Sequence, residues 1–312
     1  MQTRTYGELF KLIRSLAGVG SFSTAELDDI ANLINRRFLQ IFNESPIWPR
    51  YLVSSEKRDV LALTLSGATS STSTTVNQNY KLLGANTTGG SNVYQGATTS
   101  TVIIYNTGSA WRVDTAASAA EQASGTFTVT SGTQEFIEAD TNKKDNITDV
   151  ETFTPRAGTD SLLVEGKNLI PFAQSGKTTI GSFNRIYRKQ PFLNQSALEY
   201  EFFVDVTGAN ILNIASTTDN SVFVTYKQQF TPFSVGPSTD ATIYTDSTVE
   251  VPGEFFAYLA HATYADFLRM DGQTDKAFQE EERANIAMAL ELEKIDIISN
   301  NNTVNKRFST YV

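Results

Sequence analysis

The 312 residues contain no cysteine and a single histidine, His261. The first absence removes disulfides, thiolate metal sites and a cysteine nucleophile. It suits a chain made and assembled in a reducing cytosol. The second leaves too few nitrogen ligands for a zinc site. Charge is scarce as well: Asp, Glu, Lys and Arg make up 19% of the chain, below the usual share of about a quarter. The balance is acidic, with a net charge of -9, which disfavours tight binding of free nucleic acid, since phosphate recognition needs clustered Lys and Arg. No stretch approaches the ~18 apolar residues of a membrane span. The opening segment, Met1 to Gly20, is a polar-interrupted amphipathic pattern without the apolar core or cleavage site of a signal peptide.

What is present begins with helix signals. Thr5 followed by Glu8 has the spacing of a capping box, and Tyr6, Leu9, Ile13 and Leu16 recur on one helical face. Gly18 and Gly20 end that helix. Ser23 and Glu26 form a second capping box, flanked by Phe22 and Leu27 as a hydrophobic staple. The stripe of Leu27, Ile30, Ile34, Phe38 and Ile41 runs on until Pro46 and Pro49 stop it. The first sixty residues therefore predict a helical hairpin.

From Val60 to Gln134 only Lys81, Arg112, Asp114 and Glu121 are charged, and Ser, Thr, Asn and Gly dominate. Such a composition can mark a linker, but aromatic and β-branched residues return in short bursts. These are Tyr80 to Leu82, Val93-Tyr94, Val102 to Tyr105, Trp111 to Val113 and Phe127 to Val129, each bounded by turn formers. The spacing predicts a small antiparallel β module. Alternation continues at Ile180 to Lys189, Leu198 to Val206, Ile211 to Ala215 and Val222 to Phe230, with Pro191, Gly208 and Asp219-Asn220 as turns.

At Pro252 the chain returns to helix, the proline suiting a first turn where its missing N–H costs nothing. Phe255, Phe256, Leu259, Ala262, Phe267 and Leu268 cover more than one face, so neighbours must bury this helix. Asp271-Gly272 breaks it. A second helix is predicted from Thr274 to Ile298 on the stripe Ala284, Met288, Leu292 and Ile295, before a polar tail opened by Asn300-Asn301-Asn302. The expected fold class is α+β. An N-terminal helical hairpin (1–60) and long C-terminal helices (251–298) form a helical bundle. Between them lies a large antiparallel β-rich middle, an inserted small β module (61–140) and a β-rich domain (141–250), and an extended tail (299–312) follows.

No catalytic constellation emerges. His261 lies inside an apolar helix and reads as a packed or interface residue, and no G-x-S-x-G elbow accompanies it. Gly176-Lys177-Thr178 resembles the end of a phosphate loop, but the glycine that motif needs five residues earlier is Pro171. Asp28-Asp29 and Glu280-Glu281-Glu282 are consecutive on helices and fan out instead of converging on one cation. Asp145, Asp149 and Glu151 lack the spacing of a calcium loop. Trp111 with Tyr80, Tyr94 and Tyr105 could form a glycan-binding aromatic face, although a module this small needs its rings for a core. The expectation is a protein that is not an enzyme and holds no cofactor or metal.

The order of two helices, a β-rich middle, a long helical pair and a polar tail resembles the head–tail adaptor (connector, or neck) family of tailed bacteriophages. The C-terminal block carries most of the likeness. It comprises Val251-Pro252-Gly253-Glu254-Phe255-Phe256, His261-Ala262-Thr263-Tyr264-Ala265-Asp266-Phe267-Leu268, Gly272 and Asp275-Lys276-Ala277. The preceding Val222 to Tyr226 strand fits too. The segment with Asn79-Tyr80, Val93-Tyr94, Ile104-Tyr105 and Trp111 resembles a β module inserted in phage virion proteins. The resemblance implies a virion protein of the neck, assembled in the host cytoplasm. It would be a homo-oligomeric ring, commonly dodecameric, that binds beneath the portal and extends the DNA channel. A tail or tail-nozzle protein would join below, and a capsid or decoration protein could meet the β module. DNA would pass the lumen without specific binding. Lys306, Arg307, Phe308 and Tyr311 are then the candidates for docking the portal. The competing reading is a virion-surface decoration or receptor- and glycan-binding protein.

Overall fold

The computed structural model describes residues 3–67, 76–85, 92–106, 111–114, 134–137, 150–155, 162–193, 198–212, 221–235, 238 and 240–308. The chain divides into a helical unit, Met1–Leu52 with Lys227–Val312, and a β unit, Val53–Tyr226. Helices and antiparallel strands make up the described structure.

The first strand, β1 (Thr3–Thr5), leads into α1 (Tyr6–Ala17) and α2 (Thr24–Glu44). Both predicted capping boxes form. The Thr5 and Ser23 side chains accept from the Glu8 and Glu26 backbones, and each glutamate reaches back to its cap. Gly18, at φ 68°, takes the left-handed conformation that ends α1.

The β unit opens with β2 (Leu52–Asp59) and β3 (Leu61–Ser66). Then come β4 (Asn79–Ala85), β5 (Asn92–Gly96), β6 (Ile103–Asn106), β7 (Trp111–Asp114), β8 (Gln134–Ile137), β9 (Val150–Pro155) and β10 (Leu162–Pro171). From β3 to β10 each strand pairs antiparallel with the next, and β10 pairs back with β3. The ladder is therefore a closed meander, a solution that removes open edges. One face of it is a row of register partners, Leu63–Tyr80, Leu82–Tyr94, Tyr94–Ile104 and Ile104–Val113, all buried in one cluster.

This closure corrects the expected division at residue 140. Leu163 to Leu169 complete the ring against Leu61 to Ser66, so the module beginning at 61 ends near 171. A pairing between strands about a hundred residues apart leaves no local composition signal. Phe127 to Val129 and Asp145 and Asp149 lie outside the described residues.

The far end of β10 pairs with β13 (Gly208–Ile211), which pairs with β12 (Phe202–Val204) at the open edge. A separate sheet has the order β11 (Ile180–Tyr187), β14 (Ser221–Gln228), β2. The strand predicted at 198–206 is thus shorter, because the turn at Asp205 to Gly208 sets the register of this hairpin, and of the strand predicted at 211–215 residues 213–215 lie outside the described residues.

Back in the helical unit come α3 (Ala241–Thr245), β15 (Glu250–Pro252), α4 (Gly253–Met270) and α5 (Thr274–Phe308). Residues from 227 to 250, expected within the β-rich domain, belong to this unit. β15 pairs with β1, and α4 packs against α1, α2 and α5. Their shared core includes Phe10, Ile34, Phe38, Trp48, Phe255, Leu259 and Ala284. Phe38 stacks on Phe233 at 4.3 Å between ring centroids. Each such ring or branched chain contributes on the order of 1.5–3 kcal/mol by burial. The second long helix was predicted to stop near Ile298, yet α5 runs to Phe308. Asparagine lowers helix propensity only modestly, and no glycine or proline interrupts the segment.

Candidate functional site

Four helical turns of α5 carry the features that most need explaining. Its inner face is set by small residues: Ala277 and Ala284 are fully buried, and Ile295 nearly so, while Met288 and Leu292 pack beside them. This is the stripe read from sequence. Ile286 and Leu290, one turn apart on the opposite face, and Phe278 on the flank are further apolar side chains, exposed at 55, 54 and 71%. Met270, at the end of α4, is 60% exposed. A spacing of four keeps Ile286 and Leu290 on one side of the helix, with Phe278 on the adjoining flank. That spacing was the signal in the sequence, and acidic neighbours such as Glu282 and Glu293 masked it.

Charge adds to the apolar contacts that hold α5 to the rest of its unit. Asp266, nearly buried on α4, accepts from Arg37 Nε at 2.6 Å and Nη2 at 2.7 Å, from Arg36 Nη2 at 2.7 Å and from Arg269 Nη1 at 3.0 Å. Arg37 also donates to both Glu281 oxygens, at 2.9 and 2.7 Å. Burial alone would raise the Asp266 carboxyl. Hydrogen bonds from Arg37 and Arg36 outweigh it, so its pKa lies below the ordinary aspartate value. Burial likewise works against the Arg37 cation, and the bonds to Asp266 and Glu281 raise its pKa instead. His261 Nδ1 sits 2.6 Å from Glu280 Oε2 and so joins α4 to α5.

The candidate docking residues fall at the far end of this helix. Lys306, Arg307 and Phe308 lie on its last turn, and Tyr311 lies outside the described residues. Of the proposed aromatic face, Tyr80, Tyr94 and Tyr105 are at most 2% exposed, which withdraws them from a glycan platform; Trp111 is described in its backbone only. Gly176-Lys177-Thr178 forms a turn, with Gly176 at φ 71°, that runs into the strand β11 where a phosphate loop needs a helix. Among the described residues no group of three or more His, Asp or Glu side chains converges as a metal site. No helix there is long and apolar enough to cross a membrane.

The described residues include concavities. One of about 550 Å³ in the helical unit is lined by Arg4, Trp48, Phe256, Glu291, Lys294 and Ile295. One of about 520 Å³ in the β unit is lined by Lys57, Asp59, Lys81, Gln174 and Lys177. Lys81 is already paired with Asp59 at 2.9 Å, and Lys177 lies 3.6 Å from Glu56. The chain matches no protein-family model, and no curated protein matches it.

Proposed function

We propose that the protein is a non-catalytic structural component of a phage virion, a head–tail adaptor whose copies close into a ring beneath the portal. The ring, commonly of twelve copies in the family it resembles, extends the DNA channel and gives the tail or tail nozzle its platform. It is assembled in the host cytoplasm and ends in the virion neck. The N-terminal hairpin and the long C-terminal helices form the bundle of that ring. The β unit is available to a further partner such as a capsid or decoration protein.

The observation that carries this reading is the outer row of α5. A helix already packed on α4 still exposes Phe278, Ile286 and Leu290, and apolar side chains left exposed on one helix support a subunit contact there. Acidity supports it too. From Glu250 to Ser299 there are eleven acidic and four basic residues, and a channel that passes DNA should repel phosphate. Lys306, Arg307, Phe308 and Tyr311 then combine two cations with two aromatic anchors for the portal.

Native mass spectrometry and negative-stain imaging of the purified protein, alone and with portal, test the proposal. Closed rings of one stoichiometry are expected, seated on the portal when it is present. A monomer that never joins portal overturns it. Truncation after Ser299 should leave the unit folded and abolish portal attachment. Unchanged attachment would reject the role of the tail and leave the ring standing.

A further inference from the structure

After β11 the chain doubles back in a hairpin whose tip is apolar and exposed. The stem is paired: Tyr187 bridges Glu199, Tyr200 N donates to Ile186 O at 2.8 Å, and Arg188 N donates to Leu198 O at 2.9 Å. Near the tip the Leu193 N–H donates to Gln190 O at 3.2 Å, which closes a turn with Pro191 and Phe192 at its two central positions. Proline at the first of these has its φ set in advance. The turn presents Phe192 and Leu193, exposed at 73 and 78%, and Leu198 on the returning segment is exposed at 57%. Apolar side chains held out by a pre-formed turn lose little freedom when a partner covers them.

Charge identifies the partner. From Arg185 to Glu199 there are three cations, Arg185, Arg188 and Lys189, and one acid, Glu199, in a chain of net charge -9. Arg185 and Lys189 are exposed. The complement stands on α5. Steps of four, seven or eleven residues return to nearly the same side of a helix. Glu282, Ile286, Leu290 and Glu293 therefore form one stripe, two acids with two apolar side chains between them, and Asp275 extends it toward the N-terminus. All five are exposed. The cations beside the stripe are already taken, Arg283 by Glu280 at 2.6 Å and Lys294 by Glu291 at 2.5 Å.

We propose that the hairpin tip of one copy docks on the α5 stripe of a second copy. Phe192 and Leu193 cover Ile286 and Leu290, and Arg185 and Lys189 face Glu282 and Glu293. This contact, which rests on the reading of α5 as a subunit surface, joins two different patches, so it propagates from copy to copy and closes where the rotation allows a ring. Pairing stripe with stripe would set acid against acid, and tip with tip cation against cation, arrangements that like charges disfavour. Each contact is small, and ring closure makes many of them act together.

Complementation between two full-length variants is the test. Phe192→Ser with Leu193→Ser removes the tip, and Ile286→Ser with Leu290→Ser removes the stripe. All four side chains are exposed, so both proteins should melt as the parent does. Each alone should be monomeric by sedimentation velocity. Mixed, they retain one intact tip and one intact stripe, and should form dimers of one copy of each and nothing larger. Lys189→Glu in the copy with the tip, or Glu282→Lys in the copy with the stripe, should weaken these dimers severalfold, and the two reversals together should restore them. A mixture that stays monomeric, rings formed by the tip variant alone, or dimers indifferent to the charge reversals would overturn the inference. So would binding to phosphatidylserine vesicles by the parent but not the tip variant, without mixed dimers, which would make a membrane the occupant. Rings from the tip variant would leave the ring reading standing. Mixed dimers, with no closed rings from the parent, would reject ring closure and keep the contact.

Discussion

Arg37 and Asp266, 229 residues apart in the chain, meet in a two-pronged ion pair, with Nε to Oδ2 at 2.6 Å and Nη2 to Oδ1 at 2.7 Å. Both side chains are nearly buried, at 7 and 5% exposure. Removing one partner strands a buried charge, which costs on the order of 3–5 kcal/mol. Arg37→Leu and Asp266→Asn should each lower the denaturation midpoint of the helical unit strongly. The double variant should lose less than the sum, because the bond between the two residues is lost in both single variants.

The same pair sets an acid limit. The Asp266 carboxyl titrates lower in the folded protein than its ordinary 3.8, so the unfolded chain takes up its proton first as pH falls. Its contribution is complete above the ordinary value and is lost as pH drops through the depressed one. Thermal melts should show a steep loss below pH 4, and Asp266→Asn should start lower at neutral pH with a shallower acid slope.

Lys227 closes the C-terminus of α2. Its Nζ donates to Ser45 O at 2.8 Å and to Phe42 O, and lies 3.7 Å from the Phe42 ring centroid. Lys227→Met leaves those carbonyls unpaired and should cost about 1–3 kcal/mol. Burial lowers the lysine pKa to about 8 from 10.5, so between those values the unfolded chain holds the extra proton. Stability of the parent protein should therefore rise across that window, and the rise should vanish in the variant.

Gly7 is the close-contact point of α1. Its N–H donates to Ser247 O at 3.0 Å, and a Cβ there would run into the Thr245 carbonyl oxygen. Gly7→Ala should destabilise the helical unit by about 1–3 kcal/mol despite the better helix propensity of alanine. Gly20→Ala, with open space around it, is the control and should change the midpoint little.

The outer row of α5 separates assembly from folding. Phe278→Ser, Ile286→Ser and Leu290→Ser alter exposed side chains, so each should stay within about 0.5 kcal/mol of the parent in stability. Combined, they should yield a folded monomer by sedimentation velocity. Rings that persist in the triple variant would mean that another surface joins the subunits.

Much of the helical unit was written locally. Thr5 with Glu8 and Ser23 with Glu26 fall within one turn of chain, and capping depends on nothing farther away. The stripe Ala284 to Ile295 announced that α5 would bury one face, and the bursts at Tyr80, Val93 and Ile103 announced strands. Periodicity says that a face will be buried but not what will cover it. The closing of β10 onto β3, the meeting of Arg37 with Asp266 and the capping of α2 by Lys227 join residues about a hundred or more positions apart. No local pattern encodes them, because they follow from how whole elements pack. The candidate site divides the same way. Lys306, Arg307 and Phe308 were legible as a cluster of residue types, whereas the burial of Tyr80, Tyr94 and Tyr105 and the exposure of Phe278, Ile286 and Leu290 were decided by packing. An aromatic or aliphatic side chain has the same chemistry in a core and on a surface, and only its neighbours in space determine which of the two it serves.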